Sequence, residues 1–252
     1  MTVGMRWLAI ILLGLGCWNM SLHAEEHAPA PEKTNKPSAI TEDASRLLEL
    51  GKLLMGQNNP VYSGTPMKNC ADARNAAGEQ ALSTFRTVVK LYPQFAEGWL
   101  WLGIALTETL YYSKDEPQGR STLTEEKSAE GVQAFRCAYD RAPANITYVK
   151  YFGDALMTYK HDFEGARKLW AAFLPTAVTD LQRVVALVQS ARASLNKAYF
   201  GKDAKMSPGE IAQNFHAAEN NVMLAAKLCP NARDVKEMQI LLQQYRKILY
   251  GK

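Results

Sequence analysis

The stretch ALSTFRTVVKLYPQFAEGWLWLGIAL, residues 81–106, decides the fold predicted for this chain. Its first half has the spacing A-x3-F-x2-V from Ala81, which places apolar residues on one face of a helix. Pro93 ends that helix, because proline has no backbone N–H and cannot continue the hydrogen-bonding pattern. Its second half has the spacing W-x2-L-G-x2-L from Trp99. The stretch therefore predicts the second helix of one helical hairpin, a turn, and the first helix of the next hairpin.

Both halves of this pattern recur along the chain. The second-helix spacing, with an apolar residue four positions on and a proline twelve positions on, returns at Gly131 and at Ala218. The first-helix spacing returns as L-x2-L-G-x2-L at Leu47 and as V-x2-F-G-x2-L at Val149. Recurrence of this kind indicates stacked helical hairpins, since one hairpin cannot bury its apolar face alone.

On these residues the chain from about Thr41 to Lys252 resembles tetratricopeptide repeat (TPR) proteins. The resemblance implies an all-α, TPR-like right-handed α-solenoid of about four helical hairpins plus a C-terminal capping helix. Other α-solenoids share the stacking of hairpins and remain an alternative. In this fold Gly103 would allow a partner helix to approach closely. The expected hairpins are residues 41–93, 94–143, 144–178 and 179–230, with the cap at 231–252.

Helix ends are predicted from local signals. Thr41 is the expected N-cap of the first helix, and Thr122 with Glu125 is an expected capping box. Gly201 suits a helix C-terminus, and Ser207 followed by proline suits a helix start. Three inserts join the first helix of a hairpin to its second: residues 56–69, 113–122 and 201–207.

The N-terminus is typical of an exported protein. Arg6 precedes an apolar run at 7–16, which is the length of a signal-peptide core, and small Ala24 is a suitable cleavage site. Residues 1–24 are therefore the predicted signal peptide, and the proline-rich segment 25–40 is a predicted flexible linker. Lipidation of Cys17 is the alternative. The expected location is periplasmic or secreted.

Composition excludes several classes of function. The formal net charge of +4 comes from scattered residues, so no nucleic-acid partner is expected. No later apolar run reaches about 18 residues, so no membrane span is expected after signal removal. The cysteines and histidines lack metal-ligand spacing, and no glycine-rich phosphate loop is present, so we expect no metal and no cofactor. Neither His161 nor His216 has triad partners at a predictive spacing.

The resemblance implies that the first helices line a concave groove. Trp101 is the expected anchor for a partner, with packing against the neighbouring repeat as the alternative. Loops on one edge of such a fold are a second expected binding face. The groove candidates are Glu97, Leu100, Trp101, Ile104, Glu108, Thr147, Lys150, Tyr151, Asp154 and Thr158, and the insert-edge candidates are Tyr62, Tyr111 and Tyr112.

We expect a non-catalytic scaffold that binds a protein or peptide partner in the bacterial cell envelope. The alternative is a periplasmic small-ligand or transporter-associated TPR module. An open groove with Trp101 accessible would favour the first function, and a deep closed pocket at the inserts would favour the second.

Overall fold

The computed structural model describes residues 39–59, 71–113, 115 and 119–251, without the side chains of residues 39–41, 202 and 203. The chain forms two compact units, Met1–Thr41 and Glu42–Lys252. Every element described in the following paragraphs belongs to the second unit, except for the first turn of the first helix. The predicted signal peptide, Cys17, Tyr62 and most of the predicted linker lie outside the described residues.

The fold is all-α, as predicted, apart from one short β-ribbon among the described residues. Two helices lie in each predicted hairpin range, although the first helix begins slightly earlier than expected. The elements are α1 (Ala39–Asn58), α2 (Ala71–Leu91), α3 (Ala96–Glu108), β1 (Leu110–Tyr111), β2 (Arg120–Ser121), α4 (Glu125–Arg141), α5 (Ile146–Tyr159), α6 (Phe163–Phe173), α7 (Asp180–Asp203), α8 (Pro208–Leu228) and α9 (Arg233–Tyr250).

Consecutive helices pack on one another from α2 to α9, and α9 packs on both α7 and α8. One core cluster joins residues of α1 to α5, and a second joins α7, α8 and α9. Smaller clusters join α5 and α6 to α7. The apolar stripes read from the sequence therefore pack mainly on helices that are neighbours in the chain.

A glycine of the first helix contacts an aromatic ring of the second helix in each of the first three pairs. Gly51 meets Phe85, Gly103 meets Phe135, and Gly153 meets Trp170. A Cβ atom at Gly103 would lie 2.5 Å from the Phe135 ring, and one at Gly153 would lie 2.8 Å from the Trp170 indole nitrogen. The prediction that Gly103 allows a close helix approach is therefore confirmed.

Two of these aromatic rings also contact the next helix pair. Phe85 of α2 stacks on Trp101 of α3, with ring centroids 6.0 Å apart. Phe135 of α4 stacks on Tyr151 of α5 at 5.5 Å. One ring therefore joins its own pair to the following one.

The carbonyl group of Pro93 connects the turn after α2 to the two helices that follow it. The Trp99 indole N–H donates to the Pro93 carbonyl oxygen at 2.8 Å, and Arg141 Nε donates to the same oxygen at 2.5 Å. Arg141 also donates to the Cys137 carbonyl at the end of α4. The turn that Pro93 creates is thus bound to the C-terminus of the next second helix.

Three of the predicted helix ends differ from the structure, and one is confirmed. Ser207 caps α8 in a complete capping box with Glu210. The N-cap of α4 is Thr124 rather than Thr122, because the Thr122 hydroxyl instead donates to the Thr109 carbonyl. Gly201 does not end α7, which continues to Asp203, and α1 begins before Thr41.

Replacing Gly103 with alanine tests the helix contact. We expect the Gly103→Ala variant to lose about 1–3 kcal/mol of unfolding free energy, because the methyl group must displace the Phe135 ring. Urea denaturation measures the change. The control is Gly209→Ala in α8, where only the Ser207 hydroxyl comes as near as 4.0 Å to an added Cβ. An equal loss in both variants would contradict the packing role of Gly103.

A charge cluster between α6 and α7 makes stability depend on pH. Glu164 accepts from Arg167 in its own helix and from Lys197 Nζ of α7 at 2.9 Å. The Arg167 hydrogen bond, more than that of Lys197, lowers the pKa of Glu164 from 4.5 to about 2. The carboxylate therefore stabilises the fold above pH 4.5, and this stabilisation is lost as the pH falls towards 2.

We expect Glu164→Gln to cost about 1 kcal/mol at pH 7, since solvent screens this partly exposed cluster. The difference from the wild type should shrink as the pH falls from 4.5 towards 2, because the carboxyl group of the unfolded chain is then protonated while the folded carboxylate stays ionised, so folding has to release a proton. Urea denaturation at pH 7 and pH 3 measures both values. Glu79→Gln, on the exposed side of α2, is the control. A constant difference across this pH range would contradict the ionic role.

Candidate functional site

The first helices α1, α3 and α5 together form one polar and aromatic surface. We call it the first-helix surface, and it consists of Lys52, Glu97, Trp101, Tyr148, Lys150, Tyr151 and Asp154. All seven residues are partly exposed. The structure thus brings together five of the ten predicted groove residues, Glu97 among them, and it adds Lys52 and Tyr148, which the sequence had not selected for the site.

Lys52 links α1 to α3 at one end of this surface. Its Nζ donates to Glu97 at 2.7 Å and to Glu49 at 2.9 Å, and it lies 5.3 Å from the centre of the Trp101 ring. Burial disfavours the charge of Lys52, but the hydrogen bonds and charges of Glu97 and Glu49 outweigh it and raise the pKa of Lys52. The ammonium group is therefore held in place beside the indole ring.

Tyr148 brings α5 to the same cluster. Burial raises the pKa of its hydroxyl, the Glu97 charge raises it further, and the Lys52 charge lowers it. Trp101 is half-buried, since its ring stacks on Phe85 of the preceding helix pair. The alternative proposed for Trp101, packing against the neighbouring pair, therefore accounts for part of its surface and leaves the rest accessible.

The same arrangement recurs one pair further along. Lys150 Nζ donates to Asp154 at 2.8 Å and lies 5.5 Å from the Tyr151 ring, which stacks on Phe135. A lysine–carboxylate pair beside an aromatic ring is therefore present twice. Both ammonium groups are paired, so this surface carries little unbalanced charge at either point.

Two predicted groove residues lie in the core instead. Leu100 is 6% exposed and Ile104 is 2% exposed, and both belong to the cluster that contains Leu48 of α1 and Ala155 of α5. Both side chains pack inside this cluster, so the expectation that they contact a partner is wrong. Glu108 is half-buried at the end of α3, where its carbonyl accepts from Asn59.

The two described residues of the predicted insert edge differ in their exposure. Tyr111 is 42% exposed, and its ring lies 5.3 Å from the Arg120 guanidinium of the paired strand. Tyr112 is only 3% exposed, and its hydroxyl donates to the Asn58 carbonyl at 2.7 Å. Burial, more than the opposing charge of Arg74, raises the pKa of Tyr112. Tyr112 therefore anchors the insert and presents no surface to a partner.

Two asparagine side chains hold the outer edge of β1. Asn58 accepts from the Leu110 N–H at 2.9 Å and donates to the Leu110 carbonyl at 2.8 Å. Asn75 bonds the N–H and carbonyl of Tyr112 in the same way, at 2.8 and 2.9 Å. The carboxamides thus replace a third strand. Sequence reasoning missed them, because each contacts a strand that lies far away in the chain.

The described residues contain no group of three histidine, cysteine or acidic side chains that could hold a metal ion. Within the same part of the chain, no helix is both long and apolar enough to cross a membrane. No family model matches the chain, and no curated protein matches its sequence.

Replacing Asn58 with aspartate tests the clamp on β1. The new carboxylate would lose both donated bonds and face the Arg74 and Leu110 carbonyl oxygens. We expect a loss of about 2–4 kcal/mol in unfolding free energy, because the polar groups left behind are buried. Urea denaturation measures it. Asn214→Asp is the control, since Asn214 donates only to the Glu210 carbonyl on an exposed helix face. Similar small losses in both variants would contradict the clamp.

Proposed function

We propose that this chain is a non-catalytic scaffold that binds a protein or peptide partner, with the first-helix surface as its binding groove. In this proposal the helix pairs form a TPR-like right-handed α-solenoid. The exported N-terminus predicted from the sequence places the scaffold in the bacterial cell envelope. The proposal treats the helical array as a rigid frame and the side chains left uncovered as the means of recognition.

The single observation that carries the proposal is the cluster of Lys52, Glu97, Trp101 and Tyr148. Its members come from three first helices that are far apart in the chain, and they meet on one surface. A partner bound there would contact several helix pairs at once. Because the ion pair already holds the lysine in place, binding would cost little additional side-chain entropy.

The chemistry of this surface suits a peptide segment. Tryptophan and tyrosine provide large contact areas with few rotatable bonds, and such residues dominate binding energy in many interfaces. The paired charges beside each aromatic ring provide hydrogen-bonding groups for a partner without leaving isolated charges when water is excluded. Apolar contacts flanked by polar groups are typical of grooves that hold peptide segments.

The insert edge is a second contact region in this proposal. Tyr111 and Arg120 are exposed on the two strands of the β-ribbon, and the asparagine clamp fixes that ribbon to α1 and α2. A rigid loop loses less entropy on binding than a mobile one. The proposal therefore assigns recognition to Tyr111 and Arg120 and support to Tyr112.

Replacing Trp101 tests the proposed groove. We expect Trp101→Ala to reduce the recovery of co-purifying envelope proteins at least tenfold, because the accessible part of the indole ring is lost. Trp101→Phe, which can still stack on Phe85, should retain part of the binding. Quantitative mass spectrometry of affinity-purified samples measures both effects.

Tyr250→Ala is the matched control, since this aromatic residue at the end of α9 is exposed and lies away from the first-helix surface. Circular dichroism and urea denaturation must show that each variant is folded. Glu97→Lys offers a second variant that leaves the core intact and reverses a charge on the surface. Full recovery of every partner by folded Trp101→Ala and Glu97→Lys would refute the proposal.

A further inference from the structure

A row of polar residues runs along one side of α7. We call it the α7 polar row, and it consists of Gln189, Arg192 and Asn196. Spacings of three and four residues place the three side chains on the same side of a helix. The adjacent sides of α7 are apolar and are covered by α8 and α9 on one side and by α5 and α6 on the other.

The polar row lacks the hydrogen bonds that such side chains normally make. Gln189 is 8% exposed, and its buried Oε1 accepts no hydrogen bond. Within the described part of the chain, neither Arg192 nor Asn196 makes a side-chain hydrogen bond or an ion pair within 4.0 Å. A buried polar atom without a partner costs roughly 1–3 kcal/mol. Among the described side chains of α7, only Gln189 has such an atom.

Arg192 and Lys150 both act on one carboxylate of α9. The charges of Arg192 in α7 and Lys150 in α5 each lower the pKa of Asp234, so both cations lie within electrostatic range of it. Burial raises the pKa of Asp234, the Glu237 charge adds to this, and Arg192, Arg233 and Lys150 oppose it. The Arg192 guanidinium therefore lies within electrostatic range of α9, and no carboxylate of the described residues comes within 4.0 Å of it.

The structure itself shows what carboxamide groups can do with an extended chain. Asn58 bonds the N–H and the carbonyl of Leu110 in β1, and Asn75 bonds those of Tyr112 directly after it. Gln189 and Asn196 carry the same carboxamide group, and their side chains have no hydrogen-bond partner among the described residues. Their seven-residue separation corresponds to a rise of about 10 Å along the helix. This distance matches about three residues of an extended strand at about 3.3 Å each.

We propose that the α7 polar row binds an extended acidic peptide segment. Gln189 and Asn196 bond its main chain, and the Arg192 guanidinium pairs with an acidic side chain of the segment. Glutamine has three rotatable side-chain bonds, so Gln189 turns outward when a peptide supplies the missing hydrogen bonds. This inference rests on the proposed function, because it specifies the chemistry of the segment that the scaffold holds.

The experiment selects binders from a random octapeptide library against the full mature chain and measures them by fluorescence anisotropy. We expect the selected peptides to carry aspartate or glutamate. Arg192→Met should weaken their binding at least tenfold, and replacing the acidic residue of the peptide with its amide should have the same effect. N-methylation of the peptide main chain should also weaken binding. Arg183→Met, in the exposed first turn of α7, is the control and should leave binding unchanged.

Stability separates a binding role from a structural one. We expect Gln189→Met to unfold at the same or a higher urea concentration than the wild type, because it removes an unpartnered buried group, and to weaken peptide binding at least fivefold. A loss of stability together with unchanged binding would overturn the proposal for Gln189. Two-dimensional NMR supplies an independent readout, since the side-chain amide signals of Gln189 and Asn196 should shift when peptide is added.

The outcomes distinguish this inference from the proposed function. If peptides bind with unchanged affinity to Arg192→Met and Gln189→Met but not to Trp101→Ala, the α7 polar row is not the site and the scaffold function stands. If the folded wild-type chain selects no peptide and captures no envelope protein, both proposals fail. Selection of basic or purely apolar peptides would also overturn the assignment of Arg192.

Discussion

The contact between a glycine and an aromatic ring is the constraint on which the structure depends. Gly51, Gly103 and Gly153 allow a ring of the second helix to lie directly against the backbone of the first. Two of these rings then stack on an aromatic residue of the next helix pair. Protein interiors are close-packed, so even one added methyl group at such a contact has to be accommodated by the neighbouring side chains. The distance between the two helices of one pair therefore determines the position of the following pair.

This packing divides the side chains of the first helices into two classes. Residues such as Leu100 and Ile104 become core because they pack in one cluster with residues of the helices around α3. Residues one position further round, such as Trp101 and Tyr151, pack one face on a second-helix ring and leave another face accessible. Recognition in the proposed function uses only the second class, and the lysine–carboxylate pairs beside each ring keep that class ordered.

Carboxamide side chains perform two different tasks in the same molecule. Asn58 and Asn75 use their carboxamides on the backbone of Leu110 and Tyr112, and they hold this part of the chain against α1 and α2. Gln189 has the same chemical group in a nearly buried position and no partner. The difference between a satisfied and an unsatisfied carboxamide is a matter of tertiary placement, since nothing in the local sequence distinguishes the two.

The sequence by itself determined the helix pairs, the turn at Pro93 and the close approach at Gly103, because these depend on short-range spacing and on the stereochemistry of proline and glycine. It also identified the helix start at Ser207, because an N-cap and the proline after it are local signals. Only the tertiary structure decided that Leu100, Ile104 and Tyr112 are buried and that Lys52, Glu97 and Tyr148 meet. Burial at those positions depends on helices that are distant in the chain, and helical periodicity shows which face of a helix is apolar but not how closely its neighbours approach.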